Sequence, residues 1–274
     1  MIEFCNSKIN LGLRIIGKRP DGYHNLETVF YPVACMDLLE VVEGIDEPGK
    51  KVKIIFEGLP IEGSPENNLI SKAYHLLDAQ FDLPPVTFCL FKKIPMGAGL
   101  GGGSSDGAFA LKLLNRLFGL QLSKEQLITA ATKLGSDCAF FIENKAAFAT
   151  GRGEILSPVS LDLSAYCLVL VKPDIHVSTA TAFSQVGSTN TFNREFSLSS
   201  IVQKPIEQWK DLLINEFEKS VFEVYPRIEE IKNQLYQSGA LYASMSGSGS
   251  AVFGLFRSKP NLRETFQDCD YFEV

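Results

Sequence analysis

Apolar positions along the chain follow two rhythms. Extended runs at 5–16, 28–31, 37–42, 51–56 and 86–91 combine alternation with β-branched and aromatic residues and read as strands. Between and after them the spacing changes to that of helices. Leu69, Ile70, Ala73, Leu76 and Leu77 form one stripe, Ala110, Leu113, Leu114 and Leu117 a second, and Leu127, Ala130, Ala131 and Leu134 a third. Punctuation agrees with the rhythm. Asn67 or Asn68 caps the first helix, Ser104 or Ser105 the second, and Ser123-Lys-Glu-Gln126 reads as a capping box for the third, with Gly119 and Gly135 as stops. Asp137 then opens a short apolar turn, and two short strands at 146–150 and 154–156 flank Gly151-Arg-Gly153.

The second half opens on a buried strand at 167–171, continues through helical stretches at 179–183, 205–215 and 225–237, and closes with strands on either side of Met245-Ser-Gly-Ser-Gly-Ser250. A junction near Ser157-Pro158 divides the chain into domains 1–157 and 158–274. Helices and strands mixed without regular βαβ alternation give an α+β fold class.

One stretch carries chemistry on its face. Pro95-Met-Gly-Ala-Gly-Leu-Gly-Gly-Gly-Ser-Ser-Asp106 lies between the strand at 86–91 and a strongly periodic helix. Glycines allow positive φ and close approach of a ligand to the main chain, and a helix N-terminus offers N–H groups to an anion. A flexible Gly/Ser linker is the default for such composition, but Pro95 before it and the periodic helix after it favour a binding loop. Gly97-Ala-Gly-Leu-Gly-Gly102 matches the dinucleotide pattern G-x-G-x-x-G literally. The acid that pattern requires about 20 residues on falls at Glu125, inside the capping box, and the lysine of a Walker A loop is missing. The loop is a phosphate cradle of a third kind.

Composition narrows the partners. The chain has 274 residues, 45% of them hydrophobic and 21% charged, and a formal net charge of −6. An acidic balance argues against nucleic acid. Six scattered cysteines without a C-x-x-C pair argue against a disulfide framework or a zinc site, and no residue is assigned as a metal ligand. No run approaches the ~20 apolar residues that span a membrane, and the N-terminus lacks a signal-peptide layout. The cytoplasm is the expected location.

Lys8 and Asn10, two positions apart, share one face of the first strand, and the bland reading of that face is ordinary solvation. Taken together, Lys8-Ile-Asn10, the loop 95–106 and the turn 245–250 resemble the three ordered motifs of the GHMP small-molecule kinase superfamily. Gly17-Lys-Arg-Pro-Asp-Gly-Tyr-His24 and Gly135-Ser-Asp137 sharpen the resemblance toward members that act on a cytidine-diphosphate-linked polyol. It implies a ribosomal-S5-like N-terminal domain and a ferredoxin-like C-terminal domain with the active site between them. It also implies ATP and Mg²⁺, with Pro95, Met96, Gly97, Ala98, Gly99, Leu100, Gly101, Gly102, Gly103, Ser104 and Ser105 around the nucleotide. Asp137 becomes the base that takes the proton of the attacking hydroxyl, and Lys8 keeps it ionised and stabilises the transferring phosphoryl group. Asn10 supports substrate hydroxyls; Tyr23 and His24 recognise the cytosine, with Thr179 and Phe183 completing that pocket. A monomer or weak homodimer is expected.

The chain departs from the superfamily pattern at three places: Asn6-Ser7 before the lysine, Gly107 where alanine is usual, and Ser136, Cys138 and Ala139 around Asp137. Other GHMP kinases acting on mevalonate-type, homoserine or sugar substrates are the nearest alternative reading. A non-catalytic binding protein on the same fold and a dinucleotide-dependent oxidoreductase are the rivals from other classes.

Overall fold

The computed structural model describes residues 1–47, 49–178, 182–183 and 196–274. Helices and strands are mixed, as the sequence predicts, and fall into two compact units that interleave along the chain. The first unit comprises 1–7, 33–96 and 101–145; the second comprises 8–32, 97–100 and 146–274. The partition into 1–157 and 158–274 differs from this, since Ser157 and Pro158 both lie in a strand of the second unit.

Two long strands account for the interleaving: β1 (Ile2–Lys18) and β2 (His24–Glu43) each run through both units. The sequence suggests two strands where β2 is one. Pro32 lies between the stretches of β2 that pair with β5 and with β4. Before it, Thr28 to Phe30 pair with β5 (Ala147–Thr150); after it, Leu38 to Glu43 pair with β4 (Val86–Lys92).

In the first unit, β3 (Val52–Gly58) lies parallel to β4, which lies antiparallel to β2. Helices α1 (Leu69–Phe81), α2 (Gly102–Leu117), α3 (Lys124–Leu134) and α4 (Cys138–Glu143) pack with one another. The Asn68 side chain caps α1 on the Ile70 N–H, and the Ser123/Gln126 capping box opens α3. Gly107 faces α1 so closely that an added Cβ would lie 2.8 Å from Leu69 Cβ. Its departure from the superfamily alanine is thus a packing requirement.

In the second unit, β5 pairs with β6 (Ile155–Pro158), and a separate antiparallel sheet has the order β10-β7-β9-β8. Its strands are β7 (Cys167–Pro173), β8 (Tyr242–Met245), β9 (Val252–Phe256) and β10 (Cys269–Glu273). The helical stretch read at 205–215 resolves into a 3₁₀ turn, Ile206–Gln208, and a single turn, Trp209–Leu212, and after Asn215 a further helix, Phe217–Val224, begins. That helix and the next, Pro226–Gln237, cover one face of the sheet, with Phe217, Val221, Ile228, Ile231 and Leu235 in a core shared with Val169, Val171 and Val252. No helix among the described residues is long and apolar enough to cross a membrane.

Candidate active site

Lys8 and Asn10 do not lie on a solvated face. β1 is buried on both faces from Cys5 to Ile15, and each of the two is 3% exposed. A buried ammonium must be held by oxygen acceptors, and Lys8 Nζ donates to Asn10 Oδ1 at 2.6 Å and to the Gly99 carbonyl at 2.9 Å. The Lys8 backbone N–H donates to the Leu100 carbonyl at 2.9 Å. Asn10 Nδ2 donates to Thr28 Oγ1 at 3.0 Å, and the Thr28 hydroxyl donates onward to the Gly12 carbonyl at 2.6 Å. Thr28 thereby orients the Asn10 amide. Asn10, expected to support substrate hydroxyls, also holds the Lys8 ammonium through its side-chain carbonyl oxygen.

The loop after β4 meets the third motif at its middle. Ser246 Oγ donates to the Gly99 carbonyl at 2.9 Å, and the Ala251 N–H donates to the Ala98 carbonyl at 3.1 Å. Gly99 has φ +75°, and a Cβ there would lie 1.9 Å from the Ser246 carbonyl oxygen. Only glycine fits. The turn 245–250 is itself held by Asn215, 1% exposed, whose Nδ2 donates to the Met245 and Gly247 carbonyls at 2.8 Å each. Glu218 Oε1 accepts the Met245 N–H at 2.8 Å, and its other oxygen meets Lys232 at 2.6 Å. Asn215, Glu218 and Thr28 escape sequence reasoning because none belongs to a motif and each acts on a partner distant in the chain.

The cap of α2 corrects the expectation of Ser104 or Ser105. The N-cap is Gly101, at φ +70° with no side-chain cap, and the helix begins at Gly102. The serines instead sit in its first turn. Without a side-chain cap, the first-turn N–H groups stay available for an anion. Gly103 opens onto space, since a Cβ there would meet nothing within 4 Å, while Ser105 is buried with a hydroxyl that has no hydrogen-bond partner. A bare glycine cradle, open N–H groups and an orphaned hydroxyl suit a nucleotide's phosphates. Among the described residues no group of three or more His, Cys, Asp or Glu could hold a metal ion.

Asp137 belongs to the first unit. It occupies the N-cap position of α4, but its side chain makes no capping hydrogen bond. Beyond it, α4 is anchored by Phe140 and Phe141, edge to face at 5.1 Å. The helix ends at Asn144 in the left-handed region, φ +56°. Asn144 and Asn6 exchange amide hydrogen bonds at 2.6 and 3.0 Å, which gives the Asn6 departure a structural role. Cys138 is buried, and burial pushes its thiol up to about 12, against a lowering hydrogen bond from Ser104.

Of the expected cytosine pocket, His24 and Phe183 stack with centroids 4.7 Å apart and rings 11° from parallel, and Phe217 meets Phe183 edge on at 4.8 Å. Tyr23 is 58% exposed, with the Arg152 guanidinium 5.1 Å from its ring centroid. Thr179 lies outside the described residues.

Known proteins bear on this geometry. The model for the GHMP kinases N terminal domain matches residues 68–145, and that for the GHMP kinases C terminal matches 198–268. The chain is 57% identical over 262 residues to a 4-diphosphocytidyl-2-C-methyl-D-erythritol kinase of Bacteroides fragilis, covering 96% of this chain and 94% of that protein. It is 47% identical over 275 residues to the enzyme of the same name from Parabacteroides distasonis, covering 100% and 98%. A solved 4-(cytidine 5'-diphospho)-2C-methyl-D-erythritol kinase superimposes with TM-score 0.82 at 30% identity, covering 100% of this chain and 98% of that one. The mevalonate kinase of Methanococcus jannaschii shares the fold at TM-score 0.74 and 14% identity, covering 100% and 97%.

Proposed function

The chain belongs to the GHMP kinases, and within them to the 4-diphosphocytidyl-2-C-methyl-D-erythritol kinases, and from that membership we propose how its own residues carry the reaction. The reaction is transfer of the γ-phosphoryl group of ATP to the 2-hydroxyl of 4-diphosphocytidyl-2-C-methyl-D-erythritol, a step toward isoprenoid precursors by the non-mevalonate route. The observation that supports the site assignment is the bond from Lys8 Nζ to the Gly99 carbonyl, which ties the lysine to the middle of the glycine loop at 2.9 Å.

Asp137 accepts the proton as the substrate oxygen forms its bond to phosphorus. The bond from phosphorus to the bridging oxygen breaks, and ADP leaves with the electron pair. Lys8 stabilises charge on the transferring group, while Asn10 holds the ammonium in place from the strand side. First-turn N–H groups of α2 and the loop backbone 95–105 bind the phosphates. Mg²⁺ supplies counter-charge along with ATP. Tyr23 offers its face to the cytosine, and the ring pair His24–Phe183, with Thr179, gives the edge and wall of that pocket. The protein acts in the cytoplasm as a monomer or weak homodimer.

An ATP-consumption assay against 4-diphosphocytidyl-methylerythritol, mevalonate and homoserine tests the reading. Turnover is expected with the first alone, and turnover confined to either of the others overturns the assignment of substrate.

A further inference from the structure

The glycine loop has two ends: β4 stops at Lys92, and α2 starts at Gly102. A buried cluster outside the proposed chemistry joins them. The Lys92 side chain, 1% exposed, meets Asp37 Oδ2 at 2.5 Å and Asp106 Oδ2 at 2.7 Å. The other oxygen of Asp37 accepts the backbone N–H groups of Lys93 at 2.6 Å and Ile94 at 2.8 Å, the first two residues beyond the strand. Asp106 lies in the first turns of α2. Gly102 is packed onto the same cluster, where a Cβ would lie 2.9 Å from Ile94 Cγ2 and 3.0 Å from Lys92 Nζ.

Such a cluster adds little net stability, because stripping water from charges offsets their attraction, and apolar side chains of similar size often serve as well or better. What it does add is geometry. Asp37 fixes the strand-side end of the loop through main-chain N–H groups, Asp106 fixes the helix-side end, and Lys92 bridges the two. Lys92 has no route to a ligand of its own, since its ammonium is enclosed and faces two carboxyl groups.

We propose that Asp37, Lys92 and Asp106 are positioning residues for the nucleotide, a clip that closes the stem of the phosphate loop and sets the first-turn N–H groups of α2 in a fixed array for an anionic phosphate chain. This rests on the reading of the loop as the ATP cradle.

The test is calorimetric titration of the full-length protein with a non-hydrolysable ATP analogue, alongside the KM values of both substrates. Asp106→Leu removes the helix-side bond while leaving Lys92 paired with Asp37. It is expected to weaken analogue binding and raise the KM for ATP by about ten-fold or more, with the KM for the cytidylated substrate within about two-fold of wild type. Asp106→Asn keeps an oxygen for Lys92 and is expected to restore binding to within about three-fold. Should Asp106→Leu fail to fold, Asp106→Ala removes the same bond with a smaller side chain, still leaves Lys92 paired with Asp37, and carries the same expectation. A folded Asp106→Leu or Asp106→Ala variant that binds the analogue like wild type overturns the clip, as does an equal rise in both KM values. Wild-type protein that fails to bind the analogue overturns the nucleotide reading itself and is seen before any variant is compared.

Discussion

A carboxylate that takes a proton from an alcohol acts in the transition state, so its loss is felt in turnover more than in binding. Asp137→Asn preserves the shape at the start of α4 and is expected to lower kcat by about 10²–10⁴-fold, with ATP-analogue affinity unchanged in titration. Stacking on a substrate base, the role proposed for Tyr23, acts on the ground state. Tyr23 is 58% exposed, with the Arg152 guanidinium 5.1 Å from its ring centroid, and stacking of a base on such a ring is worth ~1–3 kcal/mol. Tyr23→Ala is expected to raise the KM for the cytidylated substrate by about five-fold or more and leave that for ATP alone, as steady-state kinetics will report. Period two was enough to place Lys8 and Asn10 on one face. It could not tell that face from a solvated one, because what buries it comes from Gly99, Thr28 and the turn at Ser246. Asn215, which holds that turn, carries no local signal at all.

Elements were legible where local rules govern. The helical stripes gave α1 and α3 with their caps, since an Asn or Ser side chain and a backbone N–H two or three residues on suffice. The start of α2 was misplaced because preference for Ser over Gly as a cap is a propensity, and Gly101 reaches a left-handed φ without penalty. Gly107 illustrates the same contest with a measurable outcome. Helix propensity alone favours alanine there by about 1 kcal/mol, but the Cβ would stand 2.8 Å from Leu69 Cβ, and overpacking costs about 1–3 kcal/mol. Gly107→Ala is expected to lower stability by about 1 kcal/mol in chemical denaturation; a rise in stability would show that α1 and α2 part more readily than their packing implies.

At the scale of the whole molecule, three motifs in order made the family readable, while the interleaving of the units was not, because it depends on two long strands that each run through both units. One buried group also affects the pH dependence of the entire fold. Burial, together with the neighbouring Asp37 and against the pull of Lys92, raises Asp106 from 3.8 to about 7. Between roughly pH 4 and 7 the folded state therefore holds a proton that the unfolded chain has released, and stability falls as pH rises through that window. Asp106→Asn removes that proton and is expected to flatten the stability profile across this window, read as denaturation midpoints at successive pH values. An unchanged slope in the variant would assign it elsewhere.

The passage of β1 and β2 through both units has a practical corollary for anyone who would take the protein apart. The second unit needs residues 8–32 and 97–100 as well as everything from 146 onward, so no single cleavage leaves both units whole. A fragment beginning at residue 146 keeps the turn at Ser246 but loses Gly99 and Asn10, the two partners of that serine's hydroxyl. The halves of this kinase cannot be cloned as modules, nor exchanged between relatives by one crossover, without severing the strand that carries Lys8 from the turn it was folded against.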